Sequence, residues 1–138
     1  MRDRRFLDTN ILVYAFGAGD RRSAIAEALV SAGGIVGVQV LNEFTNVARK
    51  KLAWSWGQLD SALAVVEELL GPARPLTRDI HSRALRHARS HALPFYDALI
   101  LAAAEDAECR WLISEDFQHG RRFGSVMVEN PFRSVRGD

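Results

Sequence analysis

Four acidic residues stand where the sequence predicts that a strand ends or a helix begins. Asp8 interrupts the apolar run RFLDTNILVYAF, and Asp116 follows the apolar stretch WLIS. Glu43 lies early in a helical pattern, and Asp97 falls in the first turn of a nearly all-apolar helix that contains ALILAAAEDA. Because such positions meet beyond the carboxyl ends of parallel strands, we expect the four side chains to converge at one edge of a sheet.

The convergence of four carboxylates indicates a metal site. Like charges raise one another's pKa values, so the arrangement is costly unless a cation lies at its centre. Oxygen ligands without a nearby His or Cys favour Mg²⁺ or Mn²⁺ over zinc, and the sequence leaves the choice between one and two ions open. Such a metal suits hydrolysis of a phosphodiester, because it lowers the pKa of a bound water and stabilises charge on the leaving oxygen.

Each acidic residue also has an ordinary structural explanation. A first-turn acid such as Asp97 commonly complements a helix dipole, Glu43 alone is similarly ambiguous, and Asp116 suits a turn. Asp8 is harder to explain in this way, because an unpaired carboxylate among buried apolar residues costs several kcal/mol. A haloacid-dehalogenase-like phosphatase would need a second Asp where this sequence has Asn10, and a metal-dependent adhesion module would need serines where it has DTNIL. Neither alternative explains Glu43.

Length and composition predict one globular domain over residues 1–138. Of the 138 residues 48% are hydrophobic and 25% are charged, which excludes disordered and fibrous chains. The single Cys109 cannot form an internal disulfide, no secretory leader follows the arginine-rich residues 2–5, and no stretch is long enough to cross a bilayer. We therefore expect a cytoplasmic protein without a membrane partner. A net charge of +1 gives no overall attraction to nucleic acid, so such binding would depend on local basic clusters.

Apolar runs separated by helical patterns predict five strands. The helical patterns recur at three- and four-residue spacing between the runs, and strands joined through helices pair in parallel. The predicted fold class is therefore α/β, a three-layer α/β/α sandwich with a five-stranded parallel sheet. The strands are predicted at residues 4–7, in GIVGVQV at 34–40, at 73–77, in WLIS at 111–114 and in SVMVEN at 125–130.

The acidic motifs resemble those of a known family. LDTNILVYAF, LNEF, FYDALILAAAE and LISEDF, in this order, resemble the motifs of PIN-domain nucleases, and the size and order of motifs look most like those of the VapC-type toxins of bacterial toxin–antitoxin pairs. The resemblance extends from Phe6 to about Pro131 and implies a PIN-like fold and a metal-dependent ribonuclease. It also implies the residues of the site. These are the metal-binding quartet Asp8, Glu43, Asp97 and Asp116, and the supporting residues Thr9, Asn10 and Ser114, which would hold the carboxylates and the metal water.

Glu115 stands beside Asp116, so either carboxylate could supply the fourth metal ligand. Asp116 is preferred because the acid of the family lies two residues after the Ser or Thr of the last motif. Basic residues near the acids are candidates for contact with the RNA backbone. They are Arg49 and Lys50, with Lys51 beside them, and Arg121 and Arg122.

Other conspicuous residues have weaker functional readings. His87 and His91 are four residues apart, but arginines surround them and no third ligand is evident, so a solvated helix face is favoured over a zinc site. The role of His119 is open. Trp54 and Trp56 bracket a gap between two predicted helices and suit either a core or an interface.

Together these observations predict a Mg²⁺- or Mn²⁺-dependent endoribonuclease that acts through a metal-activated water. The resemblance implies that it is the toxin of a type II toxin–antitoxin pair, restrained by an antitoxin protein and forming a homodimer. Two alternatives stay open at this point. One is a housekeeping RNA-processing nuclease without an antitoxin, and the other is a binding module that kept the fold and lost turnover.

Overall fold

The computed structural model describes residues 4–17 and 19–135, so part of the arginine-rich start lies outside the described residues. Its sheet has four strands in the order β1-β2-β4-β3. The strands β1, β2 and β4 run parallel, and β3 pairs antiparallel with β4. Their bounds are β1 Arg5–Leu7, β2 Trp111–Ile113, β3 Arg122–Phe123 and β4 Val126–Glu129.

Six helices surround this sheet. Ser55 is the N-cap of α4 and forms a reciprocal capping box with Gln58, and Thr77 caps α5 through its hydroxyl. No helix among residues 4–17 and 19–135 is both long enough and apolar enough to span a bilayer. The helices are α1 Thr9–Phe16, α2 Ser23–Ala32, α3 Val38–Lys50, α4 Trp56–Leu70, α5 Arg78–His91 and α6 Phe95–Asp106.

The expected five-stranded parallel sheet is therefore wrong in two respects. The run 34–40 forms only single bridges at Ile35 and Gly37, and 73–77 forms one bridge at Arg74. The reason lies in α3, whose buried residues Val40, Phe44 and Ala48 recur every four positions, so that the end of the apolar run is its first helical turn. The last strand also has a short antiparallel neighbour, because the chain reverses at Gly124, which has a φ of +60°.

The helix α6 fixes one side of the future site. All seven residues from Ala98 to Ala104 are buried, which explains why this helix is apolar on every face. It packs against α5 along its length and also contacts α3 and β2. The first turn of α6, which carries Asp97, is therefore held in a fixed position relative to the sheet.

Candidate active site

Asp8 joins the end of β1 to the start of α1. Its backbone is extended, with φ −76° and ψ 167°, and its carboxylate accepts a hydrogen bond of 2.6 Å from the amide of Thr9 as the N-cap of the helix. Its own amide donates to the carbonyl of Ile113 at 3.0 Å, which continues the pairing of β1 with β2. One residue thus ends the strand, caps the helix and places a carboxylate at the sheet edge.

Ser114 anchors the Asp8 carboxylate from the neighbouring strand. The Ser114 hydroxyl is fully buried and donates to Oδ2 of Asp8 at 2.7 Å. Burial nevertheless raises the pKa of Asp8 to about 7, with smaller increases from the charges of Asp116 and Glu43, because the bonds from Ser114 and Thr9 offset only part of the desolvation. No cation among the described residues balances the charge of Asp8.

The Glu43 side chain on α3 accepts hydrogen bonds from α1 and from its own helix. The Thr9 hydroxyl on α1 donates to Oε1 of Glu43 at 2.9 Å, and the Gln39 amide, one turn earlier on α3, donates to Oε2 at 3.0 Å. The packing of α1 against α3 makes this contact possible. Thr9 therefore contacts two of the four acids, Asp8 through its amide and Glu43 through its hydroxyl.

Asn10 holds Asp116 in the loop after β2. Its amide nitrogen donates to Oδ2 of Asp116 at 3.1 Å and to the Ser114 hydroxyl at 3.4 Å. The Ser114 hydroxyl also accepts from the Asp116 amide at 3.0 Å. All three residues expected to support the acids, Thr9, Asn10 and Ser114, thus form hydrogen bonds with members of the quartet.

Asp97 faces the other acids from the first turn of α6. A helix N-terminus favours a carboxylate, so position alone would lower its pKa. Partial burial and the charges of Asp116 and Glu43 instead raise the pKa of Asp97 to about 6. Within the described part of the chain, no hydrogen bond or ion pair holds this carboxylate.

The donor set fits a hard divalent cation in its chemistry. The converging groups are carboxylates, and burial, with smaller contributions from the charges of Asp116 and Glu43, raises the pKa values of Asp8 and Asp97. In residues 4–17 and 19–135 as they stand, no three Asp, Glu, His or Cys side chains have the spacing of a metal cage. In this arrangement Glu43 accepts hydrogen bonds from Thr9 and Gln39, and Asp116 accepts one from Asn10.

Glu115 has a different environment from its neighbour Asp116. The Tyr14 hydroxyl donates to Oε2 of Glu115 at 2.7 Å, and Nε of Arg22 lies 3.6 Å from Oε1. Burial and this carboxylate together raise the pKa of Tyr14 to about 12. Glu115 thus ties α1 and the start of α2 to the loop after β2. The sequence analysis missed Tyr14, although its position four residues after Asn10 places it on the same face of α1.

The predicted RNA-contact residues Arg49, Lys50, Arg121 and Arg122 lie outside the cleft beside the acids, whereas Lys51, named beside them, lines it. Arg49 donates to the carbonyl of Trp54 at 2.6 Å, and its guanidinium lies 3.9 Å from the ring centre of Trp56. The Arg121 guanidinium lies 4.5 Å from the ring centre of Phe123. Lys50 and Arg122 are exposed, and neither is among the residues that line the cleft.

The remaining candidates have local partners. His87 lies 3.1 Å from Glu105 of α6, its ring stacks on that of His91, and His91 packs edge-on against Phe123, so these two side chains face other elements and not the solvated face that was expected. The ring of His119 accepts a hydrogen bond from the amide of Asn130 at 3.1 Å. Trp54 is partly buried and packs edge-on against Phe44, whereas Trp56 is 62% exposed.

A cleft of about 690 Å³ opens beside the acids. Its wall includes Glu43, Asp116 and Glu115. Most of the other residues that line the cleft had not been predicted. The sequence spacing could have indicated those on α3, because they lie three or four positions from Glu43 or from one another and so share its helix face. These unpredicted lining residues are Gln39, Asn42 and Asn46 from α3 and Tyr96 from α6, while the lining residue Lys51 had been named beside the RNA-contact candidates.

Several solved structures share this fold at low sequence identity. The VapC20 toxin of Mycobacterium tuberculosis, described as cleaving the sarcin–ricin loop, is 19% identical with a TM-score of 0.66, over 78% of this chain and 86% of its own. A toxin–antitoxin complex from Klebsiella pneumoniae is 22% identical with a TM-score of 0.69, over 92% and 97%. VapBC2 from Rickettsia felis, bound to a promoter DNA fragment, is 19% identical with a TM-score of 0.65, over 91% and 97%.

Sequence comparisons identify the family. No curated protein matches this sequence significantly. The family model of the PIN domain, however, matches residues 5–122, a span that contains all four acids and the three polar residues bonded to them. Since this match covers most of the chain, the protein belongs to the PIN domain family.

Proposed function

We propose that this protein is a metal-dependent endoribonuclease and the toxin component of a type II toxin–antitoxin pair. The observation that carries the proposal is the group Asp8, Glu43, Asp97 and Asp116, which faces one edge of a PIN fold with uncompensated negative charge. Similar folds occur in a toxin described as cleaving the sarcin–ricin loop and in toxin–antitoxin complexes. These neighbours support an RNA substrate and a protein inhibitor.

The four carboxylates would hold one or two Mg²⁺ or Mn²⁺ ions. When bound, such an ion lowers the pKa of water and offsets charge on the phosphate. The chain's own residues set the direction of the ligands: Ser114 orients Asp8, Thr9 and Gln39 orient Glu43, and Asn10 orients Asp116. Asp97 keeps both carboxylate oxygens available, because no described residue bonds to them.

Partner binding is the second half of the proposal. Val65 and Leu69 on α4 are apolar side chains with exposures of 38% and 45%, and they offer a surface for a homodimer mate or an antitoxin. RNA hydrolysis would take place in the cytoplasm. An antitoxin would act by covering the acidic edge or by filling the cleft beside it.

RNA cleavage by the purified protein tests the proposal. Labelled structured RNAs are incubated with Mg²⁺, Mn²⁺ or EDTA, and the wild type is compared with Asp8→Asn and Asp97→Asn. The matched control is Asp60→Asn, an exposed aspartate on α4. We expect metal-dependent cutting by the wild type and the control alone. Absence of cutting with either metal, together with absence of divalent-ion binding in isothermal titration, would refute the nuclease.

Growth assays separate the toxin from a housekeeping nuclease. Expression of the wild-type chain alone should arrest growth, and Asp8→Asn should relieve the arrest. Normal growth of cells that contain active wild-type enzyme would favour RNA processing without an antitoxin. RNA binding without cleavage at any metal concentration would instead favour a catalytically silent binding module.

A further inference from the structure

The cleft beside the acids has a stripe of amide side chains on one wall. Gln39, Asn42 and Asn46 lie on one face of α3 and line the cleft together with Glu43. Gln39 donates to Glu43 and accepts from Asn42, so two of the three amides are linked to the acidic group. Asn46, one turn farther along, is exposed and forms no such bond within the described residues. Its amide can both donate and accept.

An exposed aromatic ring stands at the same cleft. Tyr96 is 65% exposed and directly precedes Asp97 in the first turn of α6. Its only close aromatic neighbour among the described residues is Phe95, in an edge contact with ring centres 5.9 Å apart. The other tyrosine of the cleft, Tyr14, uses its hydroxyl to hold Glu115. Tyr96 thus offers a free ring surface next to one of the four acids.

The charges of the cleft determine what kind of group it can accept. Three carboxylates line it, Glu43, Glu115 and Asp116, and Lys51 is the one basic residue among its lining side chains. A run of phosphates along this wall would meet net negative charge. A neutral, planar group with donors and acceptors on its edge would instead match the amides and the free ring.

We propose that this cleft binds an unpaired nucleobase of the RNA, adjacent to the phosphodiester that the acids approach. Tyr96 stacks on the base, and Asn46 reads the donor and acceptor pattern of its edge. Only an unpaired base presents both its face and its pairing edge, so the cleft selects single-stranded segments such as loops. This inference rests on the proposed ribonuclease function and adds to it the chemical group that determines where the RNA is cut.

Binding of short single-stranded RNAs in EDTA tests the inference without cleavage. Fluorescence anisotropy is measured with homopolymers of A, C, G and U, and with an RNA duplex of equal length. Tyr96→Ala should weaken binding of the single strands roughly 5- to 150-fold, the range found for loss of one base–aromatic stack. Tyr96→Phe should restore the affinity, because it keeps the ring. Asn46→Leu, which keeps the shape but removes the amide, should change the order of preference among the four bases.

Leu85→Ala is the matched control, since Leu85 is an exposed apolar residue on α5 outside the cleft. Its binding should equal that of the wild type. The inference is overturned if Tyr96→Ala and Asn46→Leu bind all four homopolymers as the wild type does, or if the duplex binds as tightly as the single strands. The ribonuclease proposal is judged separately, by cleavage with Mg²⁺ or Mn²⁺. If the wild type cuts RNA and Asn46→Leu cuts it with the same site preference, the base pocket is refuted and the ribonuclease proposal stands.

Discussion

The two ends of α6 carry carboxylates in opposite electrostatic situations. At the end of the helix, Glu105 lies 3.1 Å from His87 and 3.7 Å from Arg83, and Asp106 lies 4.0 Å from Arg74. At its start, Asp97 has no such partner within the described residues and faces two further acids, Glu43 and Asp116. The same helix thus has neutralised acids at one end and an uncompensated acid at the other.

The pKa of Asp97 is shifted in the direction opposite to the one that the helix alone would produce. A helix C-terminus disfavours negative charge, so acids there are stabilised by nearby cations, while an N-terminus favours a lone carboxylate. The pKa of Asp97 is nevertheless raised to about 6, because burial and neighbouring acids outweigh the dipole. The uncompensated charge of Asp97 agrees with the proposed metal site, whereas the ion pairs at the other end have a structural explanation.

The largest effect expected from this comparison is on catalysis. Asp97→Asn should lower the rate of RNA cleavage by about a thousandfold, as the loss of one preorganised electrostatic group in an active site does. Glu105→Gln, the corresponding change at the other end of the helix, should leave the rate unchanged. Initial rates with Mg²⁺ measure both. Equal losses in the two variants would show that α6 contributes to activity only through its packing.

A pH dependence of stability should distinguish the acidic edge in a second way. Asp8 titrates near pH 7 in the folded protein and near pH 3.8 when unfolded, so the folded state holds more protons between these values. The free energy of unfolding must then fall as pH rises through this window. A shift of one pKa unit is worth about 1.4 kcal/mol. Ionisation of Asp8 should therefore lower the free energy of unfolding by several kcal/mol, at most about 4.

Urea denaturation in EDTA, at about pH 5 and about pH 8, measures this loss of stability. Asp8→Asn should reduce the difference between the two pH values, while Glu105→Gln should keep it. Added Mg²⁺ should protect the wild type at the higher pH, because it binds the ionised carboxylates. The same pH slope in wild type and Asp8→Asn would mean that Asp8 is not the group that titrates.

Loss of the Ser114 hydroxyl should have a smaller effect. Ser114→Ala removes the donor to Oδ2 of Asp8, and loss of such a supporting bond typically costs 10- to 100-fold in metal affinity. Isothermal titration with Mn²⁺ gives the dissociation constant. Ser61→Ala, at an exposed position of α4, is the control. An unchanged dissociation constant in Ser114→Ala would separate this hydroxyl from the metal site.

The smallest effect belongs to the neutralised end of α6. Glu105→Gln removes a partly exposed ion pair, so it should cost about 0.2–1 kcal/mol of unfolding free energy, less at high salt. Denaturation at low and high ionic strength measures the cost. A salt-independent loss larger than this range would show that packing, rather than charge, accounts for the role of Glu105.

The sequence predicted the polar groups of the site better than the strands around it. Asp8 and Ser114 lie at strand ends, and local pattern determines such positions. The run 34–40 is different, because alternating valines suit both a strand and a helical turn. The packing of Phe44 and Ala48 in the core decides between them, and these contacts are tertiary.

The direction of long side chains could not be predicted from the sequence either. Arg49 and Arg121 are close in sequence to Glu43 and Asp116, which suggested contact with RNA. Both lie over aromatic rings, Arg49 over Trp56 and Arg121 over Phe123, and their contact with RNA stays a prediction. Nearness along the chain does not determine which neighbour a flexible guanidinium selects. Position in the sequence also does not determine the direction of the Tyr96 ring, so its exposure beside Asp97 was not predicted.

The fully buried centre of α6 also has an evolutionary consequence. From Ala98 to Ala104 every residue is buried, so the centre of this helix has no surface on which substitutions accumulate silently. An added methylene at Ala102 or Ala104 would force the helix away from its neighbours and shift Asp97 with it. On the proposed toxin function, cells in which the protein is inactivated would survive. The small residues of α6 would then form a large mutational target through which the gene loses toxicity while every acidic residue remains intact.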